Sequence, residues 1–205
     1  MVMALFLVAG PSWAAEEHAD TTYGRIEGDL AVVAGVGAAV GARGPRGAAD
    51  LRLRYLDTVG VWGTYEDGVM LGSASEPRRV LSTGVELRPL FLARWLQGAE
   101  LGLGRVDLAI DSLGLEIGAF FAQPQGGAFG QRPGLQLGLG LELPVLARAS
   151  GPWIGLHGGV RWSDHALDGA DAPGPADRAL FLAVTLSWHQ LFGGHVVDVG
   201  DKAPR

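Results

Sequence analysis

The chain has 205 residues and a formal net charge of -6 at pH 7, which fits one domain and, with no basic tract anywhere, argues against a nucleic-acid partner. It holds no cysteine, which excludes a disulfide framework, a thiolate metal site and a lipid anchor on cysteine. Hydrophobic residues make up 48% and mean hydropathy is +0.21, yet no window reaches the ~18 consecutive apolar residues that a transmembrane helix needs.

At the N-terminus, residues 4–10 form an apolar run. Pro11, Ser12, Trp13, Ala14 and Ala15 follow, and then an acidic stretch with Glu16, Glu17 and Asp20. Small residues at Ser12 and Ala14 suit cleavage after Ala14 or Ala15, so residues 1–15 are expected to be a signal peptide and 16–23 a linker. The basic segment that usually opens such a leader is missing, so the natural start is expected further upstream. The alternative is a short buried helix at the start of a soluble domain.

Seven segments then alternate with a period of two. The first runs from Ile26 to Val40, with Glu27 and Asp29 at its opening odd positions. In the second, Leu51, Leu53, Tyr55, Val59 and Val61 alternate with Asp50, Arg52, Arg54 and Thr58. The third sets Leu81, Val85 and Leu87 against Ser82, Gly84, Glu86 and Arg88. The fourth sets Leu113, Leu115, Ile117 and Phe121 against Ser112, Gly114, Glu116 and Gly118. In the fifth, Leu135, Leu137, Leu139, Leu141 and Leu143 oppose Gly134, Gln136, Gly138, Gly140 and Glu142. The sixth opposes Ile154, Leu156, Val160 and Trp162 to Gly155, His157, Gly159 and Arg161. The seventh opposes Leu180, Leu182, Val184, Leu186 and Trp188 to Phe181, Thr185, Ser187 and His189.

Short turns are expected at Gly44-Pro45-Arg46-Gly47 and Ala149-Ser150-Gly151-Pro152, and longer loops over 66–77, 122–132 and 167–177. Phe91, Leu92, Trp95 and Leu96 have helical spacing, which predicts a short amphipathic helix near 90–98 at a membrane interface. A strand extension with a bulge near 109–111 is the other reading of that connection.

The segments outrun the ~5–6 residues of an ordinary strand and meet the ~9–11 of a tilted membrane-spanning one. One face is aliphatic from end to end. The other mixes charge with glycine, and the chain holds 33 glycines, well above the ordinary ~7%. Aliphatic residues toward lipid and small or charged residues within a narrow lumen describe a membrane barrel. Hydrocarbon offers an open sheet edge no water, so such a sheet must close. The expected fold is all-β, a closed antiparallel transmembrane barrel of about eight strands over residues 24–192, with a polar tail over 193–205. Seven segments leave one strand to be found, from within 20–43, from 99–110 or from 195–199.

With alternating strands, glycine-rich inner face and export signal together, residues 24–192 resemble the small outer-membrane β-barrel superfamily of bacteria. Members end their last strand in an aromatic residue read by the insertion machinery. Trp188 and Phe192 fit that role, although the chain continues past Phe192. The resemblance implies outer-membrane lipid and the barrel-insertion machinery as partners, a monomer, and an outer-membrane location. It spans structural anchors, interaction proteins, narrow transporters and lipid A-modifying enzymes, and fold alone does not choose among them.

The inward charges Glu27, Arg52, Arg54, Glu86, Arg88, Glu116, Glu142 and Arg161 are expected to form one ion-pair network filling the lumen, since isolated buried charge is costly. Trp62, Trp95, Trp153, Trp162 and Trp188 lie near segment ends and are expected in interfacial belts. Ser163, Asp164 and His165 carry the groups of an acyl-transfer relay. Adjacent strand residues point to opposite faces, however, so no catalytic residue is assigned. The deacylase barrels carry a His-x-Ser pair, and His157 and His189 are followed instead by Gly159 and Leu191. His157 and His189 share the inward face and are read as lumen fillers, with a metal pair as the alternative; no metal or cofactor is assigned. The function expected is a structural or interaction role, with a lipid-modifying enzyme or a narrow pore as alternatives.

Overall fold

Alternation of large aliphatic residues with small or charged ones gives each segment two chemically opposed faces, and eight such strands close on one another. A computed structural model describes residues 28–41, 44–72, 76–168 and 177–193. The strands are β1 (Leu30–Gly41), β2 (Gly44–Tyr55), β3 (Val59–Asp67), β4 (Arg79–Leu87), β5 (Gly114–Gln123), β6 (Gly134–Pro144), β7 (Gly151–Trp162) and β8 (Arg178–Phe192). They form one closed barrel in chain order. Every neighbouring pair is antiparallel, and β1 returns to β8 from Leu30↔Phe192 to Gly41↔Phe181. The leader expected over 1–15, the linker over 16–23, Glu27, and the tail beyond residue 193 lie outside the described residues.

The missing strand is β3. Sequence alternation fuses it with β2 into one segment, but the chain reverses at residues 56–58, where Leu56 and Asp57 both have φ of 47° and Thr58 N–H donates to the Tyr55 carbonyl at 3.1 Å. Tyr55 pairs with Val59 across the turn. Consecutive left-handed residues normally advertise themselves as Asn, Asp or Gly, and Leu56 does not. The three-residue loop also preserves parity, so Leu51, Leu53, Val59 and Val61 stay on one face through the reversal. The stretch over 99–110 is not a strand, the described part of 20–43 holds only β1, and 195–199 lies outside the described residues. With eight strands, both ends of the sheet fall at the same end of the barrel, as closure of an even count requires.

Two turn expectations also shift. Gly44 to Gly47 belong to β2, whose pairing with β1 closes at Gly41↔Gly44. Gly151 and Pro152 already belong to β7.

The outer face is aliphatic: Val36, Leu51, Val61, Val85, Leu139 and Leu186 are all exposed. The inner face carries Arg46, Arg52, Arg54, Glu66, Glu86, Glu116, Glu142 and Arg161, each at most 5% exposed. This inverts the usual arrangement, in which charged residues are almost never fully buried. Lumen glycines make room for the large inner groups. A Cβ at Gly84 would lie 2.1 Å from the Ile117 carbonyl oxygen, and one at Gly118 would lie 2.8 Å from the Trp62 ring. Gly84 pairs with Trp62 on one side and with Gly118 on the other, so the indole lies over a floor of two glycines.

Between β4 and β5 the chain makes two helices. The first, α1 (Pro89–Gln97), has proline at its start and a left-handed glycine, Gly98, at its end, which suits both positions. It matches the helix expected near 90–98. The second, α2 (Gly104–Asp111), replaces the strand considered over 99–110. Arg94 of α1 is bonded to Asp107, and its Nη1 reaches Asp111 at 2.5 Å. Asp107 also accepts from the backbone N–H of Leu101 and Leu103, both at 2.9 Å. Burial alone would raise the Asp107 carboxyl, but those backbone donors and Arg94 hold it below the usual aspartate range. Leu108 then packs on Ala149, Trp153 and Leu191, tying α2 to the barrel end where β8 finishes.

Candidate functional site

Strand register stacks the lumen charges in layers. Nearest the helical end, Arg54 is bonded to Glu86 and, at 2.7 Å through Nη2, to Glu142. Arg88 is bonded to Glu142 and reaches Asp57 at 3.1 Å. Beside them His189 places Nε2 3.4 Å from Glu142 and stacks on Trp153, with ring centroids 4.5 Å apart. In the next layer Arg52 grips Asp50 two residues away on the same face, at 2.8 and 3.0 Å, and its Nη1 donates to Glu86 and to Glu116, both at 2.6 Å. His157 Nδ1 stands 2.9 Å from Glu116. Nearest the opposite mouth, Glu66 takes Arg46 at 2.8 Å and Arg161 at 2.5 and 3.2 Å, while Arg161 Nε donates to Gln136 at 2.8 Å. The Arg161 guanidinium also lies over the rings of Phe181 and Phe120, 4.2 and 5.7 Å from their centroids.

Seven of the eight charges expected in the lumen therefore meet there: Arg52, Arg54, Glu86, Arg88, Glu116, Glu142 and Arg161. Glu27 lies outside the described residues. Sequence reasoning left out Arg46 and Glu66, which had been set in a turn and a loop, and Asp50 and Asp57. Parity held the signal, because Arg46 and Asp50 share the face of Arg52. Charged groups so deeply buried are tolerable only when paired, and among the described residues they pair in two clusters rather than one network: Arg46 and Arg161 on Glu66, and Arg52, Arg54 and Arg88 on Asp50, Glu86, Glu116 and Glu142. What is left between the layers is a cavity of about 20 Å³ beside Asp50, Thr64 and His157, room for about one water molecule.

The tryptophans divide. Trp188 is 52% exposed on the outer face, Trp162 is half-buried at the end of β7, and Trp95 is half-buried on α1. Trp62 and Trp153, expected in interfacial belts, instead point into the barrel, each 2% exposed. Their parity matches the inward charges: Trp62 precedes Thr64 and Glu66, and Trp153 precedes Gly155 and His157. Their indole N–H groups donate to the carbonyls of Val85 and Ala149, both at 3.1 Å. Proximity to a turn does not place these two, because parity rather than position sets the face.

Ser163 caps the short helix α3 (Asp164–Leu167), accepting from the Ala166 N–H at 3.2 Å. Its hydroxyl donates to Asp177 at 2.6 Å, and His165 reaches the other oxygen of that carboxylate at 3.3 Å. The carboxylate thus stands between hydroxyl and imidazole, whereas an acyl-transfer relay needs the imidazole in the middle to take the serine proton. His157 and His189 face different carboxylates, Glu116 and Glu142, so the two rings do not converge on one ion. A second cavity, of about 200 Å³, opens at the mouth opposite α1 and α2, between Arg46, Arg161, Phe120, Phe181, Glu76 and Asp177. No protein-family model matches the chain, and none of the curated proteins matches it.

Proposed function

We propose that the protein is a bacterial outer-membrane β-barrel of the small eight-stranded kind, with a structural or interaction role. The observation that carries this reading is the inversion of its faces: exposed leucines, valines and isoleucines outside, salt-bridged charge inside. An aliphatic surface of this extent on a monomer marks contact with another apolar phase. Strands of 9 to 15 residues match the length needed to cross a bilayer at a tilt, and closure leaves the hydrocarbon no open edge. The reading takes residues 1–15 as the export signal, Trp188 and Phe192 on β8 as contacts for the insertion machinery, and outer-membrane lipid as the main partner of a monomer.

The layered ion pairs favour a plugged barrel over a pore, since the space among them holds about one water. The Ser163–Asp177–His165 order favours a loop-end cap over an esterase. Expression with the leader, followed by membrane fractionation and gel electrophoresis with and without boiling, tests the proposal. The expected result is outer-membrane recovery and a folded band that shifts on heating. A chain that stays soluble without detergent and shows no heat shift would refute it.

A further inference from the structure

The mouth cavity at the end opposite α1 and α2 is lined by two arginines, Arg46 and Arg161, and two carboxylates, Glu76 and Asp177. Arg46 and Arg161, with side chains 4% and 6% exposed, share a single carboxylate, Glu66. Arg161 spends its donors on Glu66 and Gln136. Arg46 spends only Nε on Glu66, and among the described residues neither of its terminal nitrogens has a hydrogen-bond partner. That fork lies against Gly41, where a Cβ would stand 3.0 Å from Nη2, and both residues line the cavity. A guanidinium held on a largely buried stem, with its terminal nitrogens at a cavity, is an anion-recognition group, because its planar fork matches a carboxylate in bidentate fashion. The apolar lining comes from Val80, Phe120, Ala122 and Phe181. The rim carries Glu76 and Asp177, which repel a second negative charge.

We infer that this mouth cavity is a binding site for a small monoanionic amphiphile, an aromatic or short-chain carboxylate. Its acid group meets Arg46 and its apolar part packs on the cavity wall formed by Val80, Phe120 and Ala122. A cavity of about 200 Å³ compares with the ~150 Å³ that admits benzene, which sets the ligand at about ten heavy atoms. The site belongs to the barrel interior and stands whether or not the outer face meets lipid.

The test is fluorine NMR titration of the folded full chain with para-fluorobenzoate, para-fluorobenzamide and inorganic phosphate. The acid is expected to bind at least about tenfold more tightly than the neutral amide, as charge-assisted bonds to arginine dictate. Phosphate should not displace it. Arg46→Gln should weaken the acid to the level of the amide and leave the amide unchanged, with Glu66 still held by Arg161. Ala122→Phe, which fills the cavity from β5 without touching the ion pairs, should abolish binding of both. Equal affinity for acid and amide overturns the inference, as does displacement by phosphate. Binding that survives Ala122→Phe also overturns it. Should Arg46→Gln fail to fold, the acid–amide comparison and Ala122→Phe still decide.

Discussion

Replacing Glu142 by glutamine isolates what the lumen lattice contributes. The side chain is 1% exposed, accepts from Arg54 at 2.7 Å and is bonded to Arg88. Glutamine keeps the volume and removes the charge, so two buried guanidiniums lose the anion they share. Breaking one partner of a buried pair costs about 3–5 kcal/mol, because the abandoned charge has no water to turn to. Arg54 retains Glu86, and Arg88 retains Asp57 at 3.1 Å, so the lower end of that range is expected. The assay is urea unfolding in detergent followed by tryptophan fluorescence. With a slope of about 1–3 kcal/mol per molar urea, the midpoint should fall by at least about 1 M. Arg88→Met should be costly alone, and the pair Arg88→Met with Glu142→Met should cost less than the two singles together, by about 0.5–3 kcal/mol. Asp168→Asn provides the contrast, since Arg132 and Asp168 are 71% and 62% exposed and such pairs are worth about 1 kcal/mol or less. If Glu142→Gln costs no more than Asp168→Asn, or if the two singles simply add, the lattice is not a cooperative unit and the reasoning fails.

Gly84→Val should prevent barrel assembly, whereas Gly63→Ala, whose Cβ would meet nothing closer than 3.8 Å, should fold normally; the heat-shifted gel band reads both. Trp62→Ala should cost about 3–5 kcal/mol by emptying the space over Gly84 and Gly118, while Trp188→Ala should cost less than about 1 kcal/mol in the same unfolding assay. Asp107 is held below its ordinary pKa, so its contribution to docking α1 and α2 is fully present above the usual aspartate value of 3.8 and is lost as pH falls through the lowered one. Amide exchange at Leu101 and Leu103 should therefore stay slow at neutral pH and accelerate only in that acid window. Arg94→Gln should remove part of this protection at every pH.

Most of the architecture lay in parity alone. Alternation over residues 135–145 and 180–189 is uninterrupted, and it alone assigns Gln136, Glu142, Thr185 and His189 to the inner face, where all four are buried. Parity failed where a turn conserved it, at Leu56 and Asp57, and so one strand was hidden inside another. Parity also outranks proximity to a turn at Arg46, Trp62 and Trp153, all of which are buried. The ion pairs themselves were legible only as a set. That Arg52 joins Glu86 and Glu116, 34 and 64 residues away, follows from barrel circumference, which no local pattern encodes. The helix α2 was unreadable for a related reason, since its anchor on Arg94 is ionic and its apolar contacts lie on β7, β8 and the loop before β7.

Pairing of β1 with β8 has a consequence for how the molecule is made. Leu30 and Phe192 stand side by side at opposite extremes of the described chain, so the last contact needed is the one most distant in sequence. Loop-closure entropy is lost before that contact returns anything, which makes such topologies slow to form. Until the seam shuts, both edge strands present unpaired backbone to any neighbouring chain. The barrel has no half-built form with satisfied edges, and its assembly is decided at a single seam.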